Sequence, residues 1–416
     1  MKFLLRTHGC RANQYDSEAV RAMLVSAGAS EVATAGEADV VIFNSCTVTA
    51  AAEVELRKGV RRVARANPAV RTIVMGCAPG LSARDEHVAP LATLPTVTDT
   101  VAGADLNFIA STLGLRPSPE PTSPRVQTGA RALLRIQDGC DEHCTFCATT
   151  LARGSNRSRP LEELATEALS LAESHPEIVL TGIHIGSYGS DIGSSLSLLV
   201  ETLVTRIPRV RFRLSSLEAT EVDDRLCELM ADPSRLAPFL HAPLQSGSDR
   251  VLKRMGRHWY TARTYQTSIG RIIGPRRVFG LGADIICGFP GETDDDHRQT
   301  LGLVESLPFT SLHVFPYSAR PGAAASRLGA AVASAEVDSR CSELREVGRR
   351  KAAEYSALRV NQSADVVAIS GDEGLSEDYL PVGISAPLIR RRDRFDATLV
   401  LNNGRLTAVP ADTLEA

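Results

Sequence analysis

The sequence predicts an α/β chain in three parts: an N-terminal parallel-sheet domain, a central α/β barrel or open parallel sheet, and a small C-terminal antiparallel barrel or sheet. Three observations predict it. Apolar runs alternate with helical stretches up to about residue 115, six more strand candidates recur between helical segments from about 126 to 330, and short alternating runs separated by turns fill the last 55 or so residues. At 416 residues, with 43% hydrophobic and 23% charged residues, the chain is expected to fold as two to four globular domains.

The first domain, residues 1–115, carries the strand candidates Phe3-Leu4-Leu5, Val40 to Phe43 and Thr72 to Met75, with helical stretches such as Ser17 to Ala27 and Ala51 to Ala66 between them. Residues 116–125 hold Pro117, Pro119, Pro121 and Pro124, which remove backbone donors, and are expected to be an extended linker. The second domain, 126–358, has strand candidates Ala132 to Ile136, Ile178 to Thr181, Val210 to Leu214, Pro238 to Ala242, Gly282 to Cys287 and Leu312 to Tyr317, then a last helix from Glu336 to Ala357. Such repeats place chemistry at the carboxyl ends of the strands. In residues 359–416, short runs at Val366 to Ile369, Tyr379 to Ile384, Ala397 to Leu401 and Leu406 to Val409 are separated by turns such as Ser370-Gly371-Asp372 and Asn402-Asn403-Gly404.

No apolar run approaches the roughly 20 residues that span a bilayer, and Arg6 follows Met1 to Leu5 at once, so the cytoplasm is the expected compartment and no membrane partner is expected. Nine cysteines in such a chain point to metal or catalytic use rather than to disulfides. A formal charge of −3 leaves any RNA contact to local basic patches. Only four of the 46 basic residues are lysine, which codon bias explains as well as phosphate binding does.

The strongest local signal is Cys140-Asp141-Glu142-His143-Cys144-Thr145-Phe146-Cys147, a C-x3-C-x2-C run directly after a strand. Three thiolates in eight residues can wrap one iron-sulfur cube and leave its fourth iron open for a small chelating molecule. The alternatives are a zinc site, which needs a fourth ligand from His143 or from afar, and three unrelated buried thiols.

A second constellation is legible only by position. Cys10, Cys46 and Cys77 each stand at the end of one N-terminal strand, so a parallel sheet brings residues 36 and 31 positions apart to one edge. Gly9, Asn44-Ser45 and Gly76 beside them suit tight loops and close backbone approach to a cofactor. Any one of the three alone reads as a small buried hydrophobe. Cys227 and Cys341 in helical stretches and Cys287 in a strand read as packing residues.

Three segments resemble the radical S-adenosylmethionine methylthiotransferase family over essentially the whole chain: Gly9-Cys10-Arg11-Ala12-Asn13-Gln14-Tyr15-Asp16-Ser17-Glu18, Asn44-Ser45-Cys46-Thr47-Val48-Thr49, and Ile136 to Cys147 with Arg153-Gly154 and Ser158-Arg159 after it. Asn13-Gln14-Tyr15 and Cys46-Thr47-Val48-Thr49, with Leu180 to His184 and His313 to Ser318, are most similar to the branch that acts on N6-threonylcarbamoyladenosine in tRNA. Sister branches act on isopentenyladenosine or on an aspartate of a ribosomal protein. The segment Gly374 to Leu380 resembles the family's small RNA-binding barrel, called TRAM. Two departures stand out: Ala148 to Leu151 lacks the family's usual proline, and Ala78-Pro79-Gly80 replaces bulkier or polar residues.

The resemblance implies a partial (β/α)6 TIM-like radical S-adenosylmethionine barrel between the N-terminal domain and a TRAM-like barrel. It implies two 4Fe-4S clusters and S-adenosylmethionine as cofactors, with tRNA, an electron donor such as flavodoxin or ferredoxin, and a sulfur source as partners. S-adenosylmethionine would chelate the open iron at Cys140, Cys144 and Cys147 and be cleaved to a 5′-deoxyadenosyl radical, while the cluster at Cys10, Cys46 and Cys77 would carry the sulfur to be methylated and transferred to C2 of adenine. At the barrel strand ends, Gly182 and His184 are candidates for the methionyl end, Ser216 and Glu218 for the ribose, and Gln245 for a further contact; turn structure is the plainer reading of each. For tRNA the basic candidates are Arg57, Lys58, Arg61, Arg62 and Arg65, then Arg153, Arg157 and Arg159, then Arg390, Arg391, Arg392 and Arg394. A zinc- or thiol-bearing RNA-binding module is the alternative of another class.

Overall fold

In the computed structural model, which describes residues 1–47, 49–83, 90–115, 126–274, 276–386 and 388–411, the apolar N-terminal runs become the middle of a parallel sheet. Its strands are β1 (Lys2–Thr7), β2 (Ser30–Glu31), β3 (Val40–Ser45), β4 (Arg71–Gly76) and β5 (Val97–Ala102), in spatial order β2-β1-β3-β4-β5. Successive side chains point to opposite faces. Phe3, Leu5, Ile42, Ile73 and Met75 pack with residues of helices α1 (Arg11–Ser26) and α4 (Leu106–Thr112), whereas Leu4, Val41, Phe43 and Val74 pack with Leu56, Val60 and Val63 of α2 (Ala50–Ala66). With both faces covered, the inner strands read as continuous apolar runs. The edge strands β2 and β5 are short or largely polar, which is why periodicity did not expose them. A short helix α3 (Cys77–Ser82) follows β4 at once. The proline-rich segment 116–125 lies outside the described residues.

The chain divides into two compact units. Among the described residues the first comprises 1–115, 137–157 and 318–327, so the Cys140 loop belongs with the N-terminal sheet. That loop runs between two-residue strands β7 (Gln137–Asp138) and β8 (Arg157–Ser158) and carries helix α5 (Thr149–Arg153).

The second unit holds six parallel barrel strands in chain order: β6 (Ala132–Arg135), β9 (Glu177–Thr181), β10 (Arg211–Leu214), β11 (Phe239–His241), β12 (Gly280–Cys287) and β13 (Ser311–Pro316). They form two three-stranded sheets, and a parallel bridge between Ser216 and His241 links the end of one to the other. Alternation again sorts the residues. Leu134, Leu180, Phe212, Leu240, Ala283 and Ile285 pack against the surrounding helices, including Leu196–Arg206, Ala262–Ile273 and the long Ser334–Leu358. The alternate positions Glu177, Arg211 and Arg213 are charged and fully buried, a state that requires mutual pairing. Arg211 Nε lies 2.6 Å and Arg213 Nε 2.8 Å from the Glu177 carboxylate.

The C-terminal strands β14 (Ser363–Ala368), β15 (Glu373–Ser376), β16 (Pro381–Ile384), β17 (Arg394–Asn402) and β18 (Arg405–Pro410) close a five-stranded barrel in the order β14-β15-β16-β18-β17. Its pairings are antiparallel, as expected, except that β16 and β18 run parallel. This closure leaves no open edge.

Candidate active site

Strand register decides where the first three cysteines stand. Thr7 is opposite Asn44, and Ser45 is opposite Gly76, so β1, β3 and β4 end together and release Cys10, Cys46 and Cys77 at one edge. Gly9 and Gly76 have φ of +123° and +97°. A Cβ on Gly9 would fall 2.8 Å from Cys46 Cβ, and one on Gly76 would fall 2.6 Å from the Ser45 carbonyl oxygen, so only glycine lets these three loops converge. Asn13 ties them together. Its Nδ2 donates to Ser45 O (2.7 Å) and Asn44 Oδ1 (3.0 Å), and its Oδ1 lies 3.6 Å from Cys10 Sγ and 3.9 Å from Cys77 Sγ. Cys46 and Cys77 are buried and Cys10 is exposed. Burial pushes the Cys77 thiol up to about 11 despite the nearby Arg153, and the neighbouring Cys10 and Cys46 thiols push the same way. Metal coordination reverses such a penalty, because a coordinated thiol is deprotonated outright.

The Cys140 loop is pinned from within. Gln137 Nε2 donates to Gly139 O (2.5 Å) and Asn156 Oδ1 (2.6 Å), and Cys140 N donates to Gly154 O at 3.0 Å. Gly139, at φ +74°, abuts the Ser155 carbonyl so closely that a Cβ would sit 1.9 Å from it. Backbone N–H groups of Glu142 and Thr149 point at Cys140 Sγ (3.4 Å) and Cys147 Sγ (3.3 Å), a donor arrangement suited to thiolates. Gly80 explains one departure from the family pattern: a Cβ there would lie 2.4 Å from Ala152 O, so glycine is required where α3 meets α5.

Arg153, expected among the tRNA contacts, is instead buried, with 1% of its side chain exposed. It donates from Nε to Cys77 Sγ (3.3 Å) and from Nη2 to Asn13 Oδ1 (2.9 Å) and Asp16 Oδ2 (2.8 Å), with Asp138 Oδ2 3.3 Å from Nη1. A side chain so engaged has no reach to a phosphate. Its partners Asn13, Asp16 and Asp138 stand inside the Gly9–Glu18 and Ile136–Cys147 segments, but spacing does not reveal their roles.

The sulfur spacing bears on zinc. Among the described residues, the one trio of His, Cys, Asp or Glu whose donor atoms all lie within 4.8 Å of one another is His241, Asp284 and His313. Three thiolates on one zinc at about 2.3 Å would hold their sulfurs about 3.8 Å apart. In neither cysteine trio do all three sulfurs lie within 4.8 Å of one another, so neither is closed around a single zinc.

In the second unit, the remaining candidates all follow the carboxyl ends of β9, β10 and β11. His184 Nε2 lies 2.7 Å from Glu221 Oε1, and Glu218 pairs with Arg257. Burial raises the Glu218 carboxyl above its ordinary range even against Arg257. Oε2 of Glu218 and Oε2 of Glu221 are buried without a hydrogen-bond partner, acceptors of the kind a bound ribose or amino group satisfies. Ser216 is exposed, Gly182 half-buried, and Gln245 is held at φ +63° with its N–H on Asp284 O at 2.8 Å. Sequence reading missed Glu221, Arg257 and Asp284. On β12 and β13, Asp284 faces His313 in register, and its carboxylate lies 3.2 Å from both His241 Nε2 and His313 Nδ1. Burial would raise the Asp284 carboxyl, but these imidazoles hold it well below the usual range.

The basic candidates divide. Arg61, Arg62, Arg65 and Arg390 are exposed, Arg57 and Lys58 pair with Glu53 and Glu55, and Arg159 pairs with Glu167. Arg392 and Arg394 are held by Gly129 O (3.2 Å) and Asp365 (2.9 Å). No helix among the described residues is long and apolar enough to cross a membrane.

Residues 2–101 match the family described as Uncharacterized protein family UPF0004, and residues 134–304 match the Radical SAM superfamily. The threonylcarbamoyladenosine tRNA methylthiotransferase MtaB of Thermotoga maritima is 35% identical over 381 residues, covering 88% of this chain and 86% of that protein. The Bacillus subtilis protein of the same name is 32% identical over 397 residues, 91% of this chain and 87% of its own. Among solved structures, the radical S-adenosylmethionine methyltransferase TsrM from Kitasatospora setae superposes with a TM-score of 0.56 at 15% identity, over 75% of this chain and 72% of that one, a likeness of fold. The superfamily's cofactors are S-adenosylmethionine and a 4Fe-4S cluster, and the relatives' substrate is tRNA. The chain belongs to the radical S-adenosylmethionine tRNA methylthiotransferase family.

Proposed function

We propose that this enzyme converts N6-threonylcarbamoyladenosine next to the tRNA anticodon to its 2-methylthio derivative, using two 4Fe-4S clusters. One observation carries the two-cluster reading: both cysteine trios fall in one compact unit, each framed by glycines and backbone contacts that a plain thiol core does not need. The relatives' printed substrate supports the choice of adenosine.

In this reading Cys140, Cys144 and Cys147 hold the cluster that binds S-adenosylmethionine, and Cys10, Cys46 and Cys77 hold the second. The first cluster supplies the electron for reductive cleavage of the sulfonium. Gly182 leaves room for the methionyl group, His184 is steadied by Glu221 to face it, Glu218 offers its unpartnered oxygen to the ribose, and Ser216 and Gln245 complete that rim. Arg61, Arg62 and Arg65 on α2 offer exposed charge to phosphates. Flavodoxin or ferredoxin serves as electron donor, a separate sulfur source restores the second cluster, and the enzyme works in the cytoplasm. The divisions 1–115, 116–125, 126–358 and 359–416 are proposed as the chain's domains.

Anaerobically purified protein is expected to hold about eight irons. Cys144→Ala should abolish S-adenosylmethionine cleavage, and Cys46→Ala should spare cleavage but stop sulfur insertion. Identical behaviour of the two variants would refute the division of labour. Mass spectrometry of tRNA nucleosides from cells with and without the gene tests the substrate, and an unchanged 2-methylthio-N6-threonylcarbamoyladenosine peak would overturn it.

A further inference from the structure

We infer that Arg153 is a positioning residue for the second cluster, holding Cys77 in place and raising the cluster's reduction potential. The inference rests on the two-cluster reading proposed above. Arg153 closes α5, six residues beyond Cys147, and one of its partners, Asp138, stands two residues before Cys140. The same guanidinium meets Cys77 Sγ at 3.3 Å, Asn13 Oδ1 at 2.9 Å and Asp16 Oδ2 at 2.8 Å. Asn13 Oδ1 is itself the atom shared by Cys10 and Cys77.

A purely structural cation would need only the two carboxylates. Here the fork is divided, with Nη2 and Nη1 on Asp16 and Asp138 and Nε left for sulfur. A ligand thiolate that accepts an N–H bond beside a positive charge favours the more negative, reduced state of its cluster, because net charge and hydrogen bonds to sulfur set the potential. A lysine has no planar fork and cannot meet sulfur and both carboxylates at once.

The test uses the full chain carrying Cys140→Ala, Cys144→Ala and Cys147→Ala, so that iron binds only at the second site. Iron content and an EPR-monitored redox titration are compared among this protein, Arg153→Met, Arg153→Lys and Asp16→Asn, each added to it. The expected results are about four irons per chain, a shift to more negative potential in Arg153→Met and a smaller one in Arg153→Lys. Asp16→Asn leaves Arg153 less neutralised and is expected to shift the potential the other way, an opposite sign that a folding defect does not produce. Full iron content with an unmoved potential in Arg153→Met and Asp16→Asn overturns the role of Arg153. Absence of iron from the triple variant with Arg153 intact overturns the two-cluster reading, and the inference with it.

Discussion

Replacing Glu177 by glutamine should destabilise the second unit far more than a surface substitution does. Glu177, Arg211 and Arg213 are all fully buried, and the carboxylate accepts from Arg211 Nε at 2.6 Å and from Arg213 Nε and Nη2 at 2.8 and 3.0 Å, with Arg131 at 3.3 Å. Burial alone would raise its carboxyl; Arg213 and Arg211 more than offset this and hold it well below the ordinary range. Glutamine keeps the shape but leaves one acceptor oxygen, and of the two buried guanidinium groups only Arg211 keeps a carboxylate partner, Asp365 at 3.0 Å. Breaking a buried pair in this way costs about 3–5 kcal/mol. At about 2–4 °C per kcal/mol for a unit of this size, the melting temperature should fall by roughly 10 °C. The assay is thermal unfolding by circular dichroism at pH 7.5 under anaerobic conditions. Because the folded carboxyl titrates below its unfolded value of about 4.3, its contribution is complete above that pH and is lost as pH falls. Wild type and Glu177→Gln should therefore converge on acidification. A melting shift under about 2 °C at pH 7.5, or a gap that does not narrow towards pH 3, would refute the argument that pairing maintains these charges.

Two further expectations concern the sites themselves. In cluster-free protein the Cys77 thiol, raised to about 11 by burial from an ordinary value of 9.0, favours folding fully below pH 9 and loses that contribution between pH 9 and 11, at most about 3 kcal/mol. Denaturant midpoints across that range should fall more steeply in the cluster-free protein than in Cys77→Ala, which keeps the raised thiols of Cys227, Cys287 and Cys341; equal slopes would contradict the burial argument. Gly186→Ala would place a Cβ 1.8 Å from Glu221 Oε2 and so drive that carboxylate off His184. Equilibrium dialysis should then show S-adenosylmethionine binding weakened about tenfold, or roughly 1.4 kcal/mol, and unchanged affinity would detach His184 and Glu221 from the cofactor.

The order of strands and helices, the Cys140 loop and the three-part architecture are legible in the residues alone, because these follow from local periodicity and from spacing within one loop. So is the gathering of Cys10, Cys46 and Cys77 at one edge, since parallel strands of similar length must end on the same side. What surrounds them is set by packing between distant segments. The placing of Arg153 on Cys77 depends on how α5 packs across a chain separation of 76 residues, which no pattern in either segment specifies. The barrel's charged interior was equally hidden: Glu177, Arg211 and Arg213 look like surface residues in sequence, and only strand pairing puts them face to face away from water. The parallel β16–β18 pairing belongs to the same class, because closing a five-stranded barrel requires a pairing between strands that are not neighbours in the chain.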